Sequence, residues 1–260
     1  MKVKNILFCA MFVILAGNIY SQTYVNAAPT TGLLHQYNGS FNGAGVTFCD
    51  FDNDGNDDII FPSSEGERIK IFRNINGQFT DVSFTLGILD AFESKTVLVV
   101  DYDNDGDRDL FITNLTGQNK LYKNNGSNFE NVTQTCGILM NDSIHSTAAM
   151  FFDYNKDGLL DLYAGVYSGF GNNINYHNRL HKNVGNGIFE DVTIQSNAGN
   201  LGNKILAIST IDYNNDGWED IYIANDRRVG NTMLKNNGNG TFTDVSVSTG
   251  TDLTMDAMGL

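Results

Sequence analysis

Four tandem copies of one unit, four β-prone runs within each copy, and no sustained 3.6-residue apolar period predict an all-β fold. The class these observations point to is a β-propeller of four-stranded blades, with about four blades and the first strand of a fifth, an incomplete ring. The copies open at Asp50, Asp101, Asp153 and Asp212, at spacings of 51, 52 and 59 residues. About 50 residues is what four short strands and their turns require. Stacked antiparallel sandwiches could use the same strands, but they do not call for such regular internal identity.

Each copy reads in the same order. An apolar first strand (45–49, 96–100, 148–152, 205–211) runs into an acidic loop. A second strand follows at Ile59-Ile60-Phe61, Leu110-Phe111-Ile112, Leu162-Tyr163-Ala164 and Ile221-Tyr222-Ile223. The third alternates, as in Arg68-Ile69-Lys70-Ile71-Phe72-Arg73 and Asn119-Lys120-Leu121-Tyr122-Lys123. Turns at Asn76-Gly77, Asn125-Gly126, Gly185-Asn186-Gly187 and Asn237-Gly238 supply residues that tolerate positive φ. The fourth strand lies around Phe79, Phe129, Phe189 and Phe242. The units are therefore about 43–95, 96–147, 148–204 and 205–254, after a lead-in at 22–42, with a fifth beginning at 255–260.

The net charge of −14 is not spread over the surface. Seventeen of the 30 acids fall in residues 50–58, 101–109, 153–161 and 212–220. Such a balance argues against nucleic acid as a partner, because phosphate binding needs clustered Lys and Arg. The four windows share the pattern D-x-[DN]-x-D-G-x-x-D. Positions 1, 3, 5 and 9 are Asp50, Asp52, Asp54 and Asp58; Asp101, Asp103, Asp105 and Asp109; Asp153, Asn155, Asp157 and Asp161; and Asp212, Asn214, Asp216 and Asp220. Position 7 (Asn56, Asp107, Leu159, Trp218) would add a backbone carbonyl, and the glycine at position 6 permits the sharp turn. An all-oxygen set without His or Cys suits Ca2+ rather than zinc, up to four ions, one per loop. Without a cation, carboxylates about 5 Å apart repel by roughly 1–3 kcal/mol per pair, which favours an open loop. Loops 1 and 2, with Asp at position 3, are expected to bind more tightly than loops 3 and 4.

An EF-hand is excluded. It needs Glu at position 12 and flanking helices, whereas position 12 here is Phe61, Ile112, Ala164 or Ile223 inside a strand.

The first 21 residues read as a secretory signal peptide, with Lys2 and Lys4 before an apolar run at 6–16 and Ser21 before a cut. Eleven apolar residues fall short of the about 20 that span a bilayer, so no membrane span is expected once the signal is removed. An uncleaved anchor is the alternative. Cleavage before Gln22 would remove two lysines and leave the mature chain at −16. Cys49 and Cys136 occupy slots that are apolar in the other copies, so two buried free thiols are expected rather than a disulfide.

With these motifs in hand, the chain resembles the FG-GAP/VCBS repeat family of integrin-α-like propellers. It is most similar to secreted bacterial proteins that carry an ASPIC/UnbV domain after such repeats. The resemblance rests on Asp101-Tyr-Asp-Asn-Asp-Gly-Asp-Arg-Asp-Leu-Phe-Ile-Thr-Asn114, on Leu121-Tyr-Lys-Asn-Asn-Gly126 and on Asn236-Asn-Gly-Asn-Gly-Thr-Phe-Thr-Asp-Val245, and runs from about residue 43 onward. It implies calcium at the loop positions named above, a ring of about seven blades, and hence that this chain is the N-terminal part of a longer one. It also implies a secreted or cell-surface location and a role in recognition or adhesion toward an extracellular protein or glycan. Lys156 inside loop 3 departs from the family pattern.

The alternative reading is part of a secreted polysaccharide-acting enzyme. Against it, His35, His145, His177 and His181 show no metal spacing, and neither G-x-S-x-G nor a P-loop is present. Copy 3 is longer between its second and third strands, where 166–178 include Tyr167, Phe170, Tyr176 and His177. That segment is either a ligand-facing loop opposite the acidic loops or a tolerated surface insertion.

Overall fold

The computed structural model describes residues 25–39, 43–138, 145–168, 177–200 and 204–254. The expected signal peptide, the start of a fifth unit, and Phe170 and Tyr176 lie outside these residues. The described chain forms four antiparallel sheets, each of four strands in sequential order, consistent with a β-propeller. Blade 1 holds β1 (Thr47–Cys49), β2 (Asp58–Phe61), β3 (Lys70–Ile75) and β4 (Gln78–Asp81). Blade 2 holds β5 (Ser94–Val100), β6 (Asp109–Asn114), β7 (Lys120–Asn124) and β8 (Phe129–Asn131). Blade 3 holds β9 (Ser146–Phe152), β10 (Asp161–Val166), β11 (Arg179–Asn183) and β12 (Phe189–Asp191). Blade 4 holds β13 (Ile205–Ile211), β14 (Asp220–Asn225), β15 (Thr232–Asn236) and β16 (Phe242–Asp244).

Register is the same in every blade. The residue before each acidic loop pairs with the aspartate that ends it: Cys49 with Asp58, Val100 with Asp109, Phe152 with Asp161, Ile211 with Asp220. The first strands stand side by side. Thr47 Oγ1 donates to the Val97 carbonyl (2.5 Å), Thr96 Oγ1 to that of Thr147 (3.0 Å), and Thr147 Oγ1 to that of Ile205. The first strands are thus innermost, and all four acidic loops open at one end of the blades. Strands β6 and β10 are buried along their whole length, being covered on both faces by neighbouring blades.

The core is the set of blade-to-blade interfaces. One cluster joins blades 1 and 2 (Phe51, Ile60, Ile71 with Leu110 and Phe129), a second blades 2 and 3, a third blades 3 and 4. The aromatic at loop position 2 recurs at each. Phe51 lies 6.1 Å from Phe129, Tyr102 5.8 Å from Phe189, and Tyr154 6.0 Å from Phe242, ring centre to ring centre. Cys49 and Cys136 are free and buried in these clusters, as expected, and burial pushes the Cys49 thiol up to about 12.

After its fourth strand each of blades 1 to 3 makes a tight turn that packs under the next blade. In blade 2, Cys136 N donates to the Val132 carbonyl (3.0 Å) and Thr133 N to Asn131 Oδ1 (3.1 Å). Gly137, at φ +88°, sits where a Cβ would fall 2.1 Å from the Phe189 carbonyl of blade 3. Within the lead-in, residues 26–32 repeat this turn. There Thr31 N donates to the Ala27 carbonyl (3.0 Å) and Ala28 N to Asn26 Oδ1 (3.2 Å) around the short helix α1 (Ala28–Thr31). Gly32, at φ +83°, lies against the Phe79 carbonyl of blade 1. Pro29 and the absence of a matching Asp had hidden the likeness.

Candidate metal centres

Each acidic loop is a turn wound around its first aspartate. The carboxylate of Asp50 accepts the N–H groups of Asp54 and Gly55, both at 2.9 Å. Asp101, Asp153 and Asp212 make the same two contacts at 2.8–3.1 Å. The position-5 carboxylate then accepts the position-7 N–H: Asn56 on Asp54 (2.8 Å), Asp107 on Asp105 (3.0 Å), Leu159 on Asp157 (3.1 Å), Trp218 on Asp216 (3.0 Å). Positions 4 and 6 both take positive φ, which suits Asn53, Asn104 and Asn215 and the following glycines. Lys156 adopts the same conformation at φ +59°.

The position-9 aspartates have a different surrounding. Asp58, Asp109, Asp161 and Asp220 have no exposed surface. One oxygen of each accepts the position-2 N–H at 3.2 Å, and the other accepts the N–H of an asparagine on the third strand, Asn74, Asn124, Asn183 or Asn236, at 2.7–2.8 Å. Burial pushes Asp109 and Asp161 up to about 7 despite these N–H groups, and raises Asp58 and Asp220 in the same direction. The position-5 carboxylates of loops 1, 2 and 4 go the other way. Asp54 is lowered by the Asn56 side chain, Asp105 by Lys123, and Asp216 by the Trp218 N–H. Each loop therefore has a buried end tied to the fold, and in loops 1, 2 and 4 the outer carboxylate is lowered.

The residues expected at positions 1, 3, 5 and 9 come together in part. Oxygens of Asp50, Asp52 and Asp54 in loop 1, and of Asp101, Asp103 and Asp109 in loop 2, lie within 4.8 Å of one another. Asn155 and Asn214 leave loops 3 and 4 with fewer carboxylates at the same positions. The set fits a hard cation on one direct observation: Asp52 Oδ1 and Asp103 Oδ1, both at position 3, are buried and accept no hydrogen bond.

Three features escaped the sequence reading. First, backbone N–H groups and a basic side chain brace the loops from within the blade. Lys123 Nζ bonds both Asp103 and Asp105, the latter at 2.8 Å. Arg73 Nε lies 2.7 Å from Asp52, an ion pair whose angle makes no hydrogen bond; Lys182 lies 3.4 Å from Asp157 and Lys235 3.5 Å from Asp216. Second, the third-strand asparagine side chain reaches the preceding blade. Asn124 Nδ2 donates to the Phe51 carbonyl (3.4 Å), Asn183 to that of Tyr102 (2.8 Å) and Asn236 to that of Tyr154 (2.8 Å). Third, Lys156 of loop 3 stands 4.2 Å over the Trp218 ring of loop 4, linking neighbouring loops. The repeating [ILM]-x-[KR]-N of the third strand was the available signal for the first two.

The long connection of blade 3 is only partly a candidate ligand loop. Tyr167 is buried and donates to Asp226 Oδ2 at 2.8 Å, so it is a packing residue and not a ligand-facing aromatic. His177 does line a cleft of about 270 Å3 with Thr193, Ile194 and Asn197. The equivalent place in blade 1 is a cleft of about 520 Å3 lined by Arg68, Lys70, Asp81 and Phe84. Both lie toward the end opposite the acidic loops.

Among solved structures, the chain is similar to BBS1N in complex with ARL6DN (TM-score 0.49, 14% identity, covering 80% of this chain and 57% of that one). It is also similar to an Agrocybe aegerita lectin described as recognising non-reducing terminal N-acetylglucosamine (0.42, 18%, 76% and 50%). A further likeness is to the V. cholerae biofilm matrix protein Bap1 (0.41, 18%, 77% and 30%). Among curated proteins it is similar to cartilage acidic protein 1 of Xenopus tropicalis, 27% identical over 151 residues, and of Homo sapiens, 26% over 157. The match takes 54% of this chain but only 23% and 22% of those relatives, so the chain spans less than a quarter of their length. The FG-GAP-like repeat model matches residues 50–110, 101–164 and 212–260, which together make up well over half of the chain and carry all four acidic loops. The chain belongs to the FG-GAP-like repeat family.

Proposed function

We propose that this protein is a calcium-stabilised propeller module, secreted or held at the cell surface, that serves recognition or adhesion toward an extracellular protein or glycan. The carrying observation is the buried, unpaired Oδ1 of Asp52 and of Asp103, each set among other carboxylate oxygens. An unpaired buried carboxylate oxygen is costly, and a calcium ion bound by oxygens at about 2.3–2.6 Å would satisfy it. Asp50, Asp52 and Asp54 would hold the ion in loop 1, and Asp101, Asp103, Asp105 and Asp109 in loop 2. The metal's part is structural: it would pin the outer end of a loop whose inner end is already tied to two strands. Recognition would then fall to the other end of the blades, where the clefts beside Phe84 and His177 offer an aromatic or imidazole face beside polar groups.

Thermal melts with 1 mM calcium and with excess EGTA test the metal part. Chelation should lower Tm by several degrees, and superimposable curves would remove calcium from the reading. A glycan screen run with and without calcium tests the recognition part: retention without turnover supports a binding module, and release of cleaved product would favour the enzyme reading instead.

A further inference from the structure

We propose that the basic residue ending each third strand is a built-in competitor for the loop's metal, so that calcium enters by exchange and not by filling an empty site. This rests on the calcium reading above and deepens it. Arg73, Lys123, Lys182 and Lys235 hold the same position, one residue before the asparagine that ties strand to loop. Every one of them reaches an oxygen of the loop in its own blade. They do so at positions 3 and 5, the oxygens a metal ion would also need.

Engagement follows the residue at position 3: in loop 1, which like loop 2 has five aspartates and has Asp52 there, Arg73 lies 2.7 Å from that carboxylate. Loop 2 has five aspartates, and Lys123 bridges Asp103 and Asp105 there. In loops 3 and 4, where position 3 is asparagine, Lys182 and Lys235 stand at 3.4 and 3.5 Å from a position-5 oxygen. A divalent ion bound to Asp103 and Asp105 cannot share their oxygens with an ammonium group at contact distance, because like charges so close repel strongly. Lys123 has a flexible stem and is about a third exposed, so it can swing to solvent when the ion arrives. Two consequences follow. A loop that gives up its ion would have its charge offset by its own lysine, and the loop with aspartate at all five ligand positions also carries the lysine that engages two of them. Affinities across the four loops are therefore flatter than their acid counts suggest.

The test is Lys123→Gln, with Lys123→Arg as the conservative control, studied by calorimetric calcium titration and by melts in EGTA and in calcium. In the glutamine variant Tm in EGTA should fall, while one site binds calcium about tenfold more tightly and the calcium-induced rise in Tm grows. The arginine variant should behave as wild type in both respects. A glutamine variant that loses Tm in EGTA and binds calcium no more tightly would overturn the proposal, since the lysine would then be a prop and not a competitor. If wild type and variant both take up no calcium at millimolar concentration, the calcium reading itself fails, an outcome distinct from the last. Should Lys123→Gln not fold, Lys182→Gln serves in its place, with an expected tightening of about threefold at one site; an unchanged or weaker affinity there counts against the proposal equally.

Discussion

Blades 2 and 3 share a scaffold and differ in nearly everything placed on it. In both, an aspartate with no exposed surface joins the loop to the third strand, and an asparagine one strand over reaches a carbonyl of the blade before. Around that frame, blade 2 packs five aspartates and a bridging lysine into its loop, whereas blade 3 has Asn155, Lys156 and Leu159 there. Where blade 2 places Tyr122, donating to Asp90, blade 3 places His181, buried with an unpartnered Nδ1. The difference separates two jobs inside one motif. The residues that are alike build the blade, and those that vary decide what the loop and the interface can hold.

The sharpest way to test that division is to remove what is alike. Asp161→Ala would leave the Tyr154 and Asn183 N–H groups buried without an acceptor, at a cost of about 3 kcal/mol for the pair. For a chain of this size that corresponds to a fall in Tm of roughly 5–10 °C. The loss should appear equally in calcium and in EGTA, because it comes from the inner end of the loop. A loss seen only with calcium present would make position 9 a metal ligand first and a structural tie second.

Next in size is a property blade 3 has and blade 2 lacks. Burial pushes His181 down to about 4 from its ordinary 6.5, with a smaller opposing pull from Asp191. The unfolded chain therefore takes up a proton on this imidazole below about pH 6.5 while the folded chain does not until about pH 4. Stability from this group is full above pH 6.5 and is lost as pH falls toward 4, by about 2 kcal/mol at pH 5. His181→Leu, the residue blade 4 uses at the same register, removes the group. The difference in unfolding free energy between wild type and variant should move by that amount between pH 7 and pH 5. A difference independent of pH would mean the imidazole is solvated in the folded state.

Much of this was legible in the sequence, and what was not has physical reasons. Strand order and the loop-to-strand hinge followed from the spacing of the Asp-rich windows, because period-2 runs between positive-φ turns leave few alternatives. The position-1 and position-9 aspartates were found but their difference was not: both are simply Asp in a pattern, and only burial separates an N–H acceptor inside the blade from one at the turn. Lys123 and Asn183 were passed over because their partners lie in other strands or other blades, as with Asn183 and the Tyr102 carbonyl. Tyr167 was misjudged because an aromatic in a long connection looks exposed until its hydroxyl is seen on Asp226.

The smallest expected effect bears on what varies. Asp103→Asn gives loop 2 the position-3 residue of loop 3, and Asn155→Asp does the reverse. Removing one carboxylate from a calcium site weakens it through the lost charge, since ligand charge count is one of the settings of such affinities. Yet Asp103 also holds Lys123, so the same change frees a competitor and returns part of the loss. The net weakening at loop 2 should therefore be small, about threefold by calorimetric titration, or near 0.7 kcal/mol. Loop 3 lacks that compensation: Lys182 reaches Asp157 at 3.4 Å and forms no bridge to position 3. Asn155→Asp should thus tighten loop 3 by more than Asp103→Asn weakens loop 2. Equal and opposite changes would mean that charge count alone sets affinity and that the two loops differ only in their ligands.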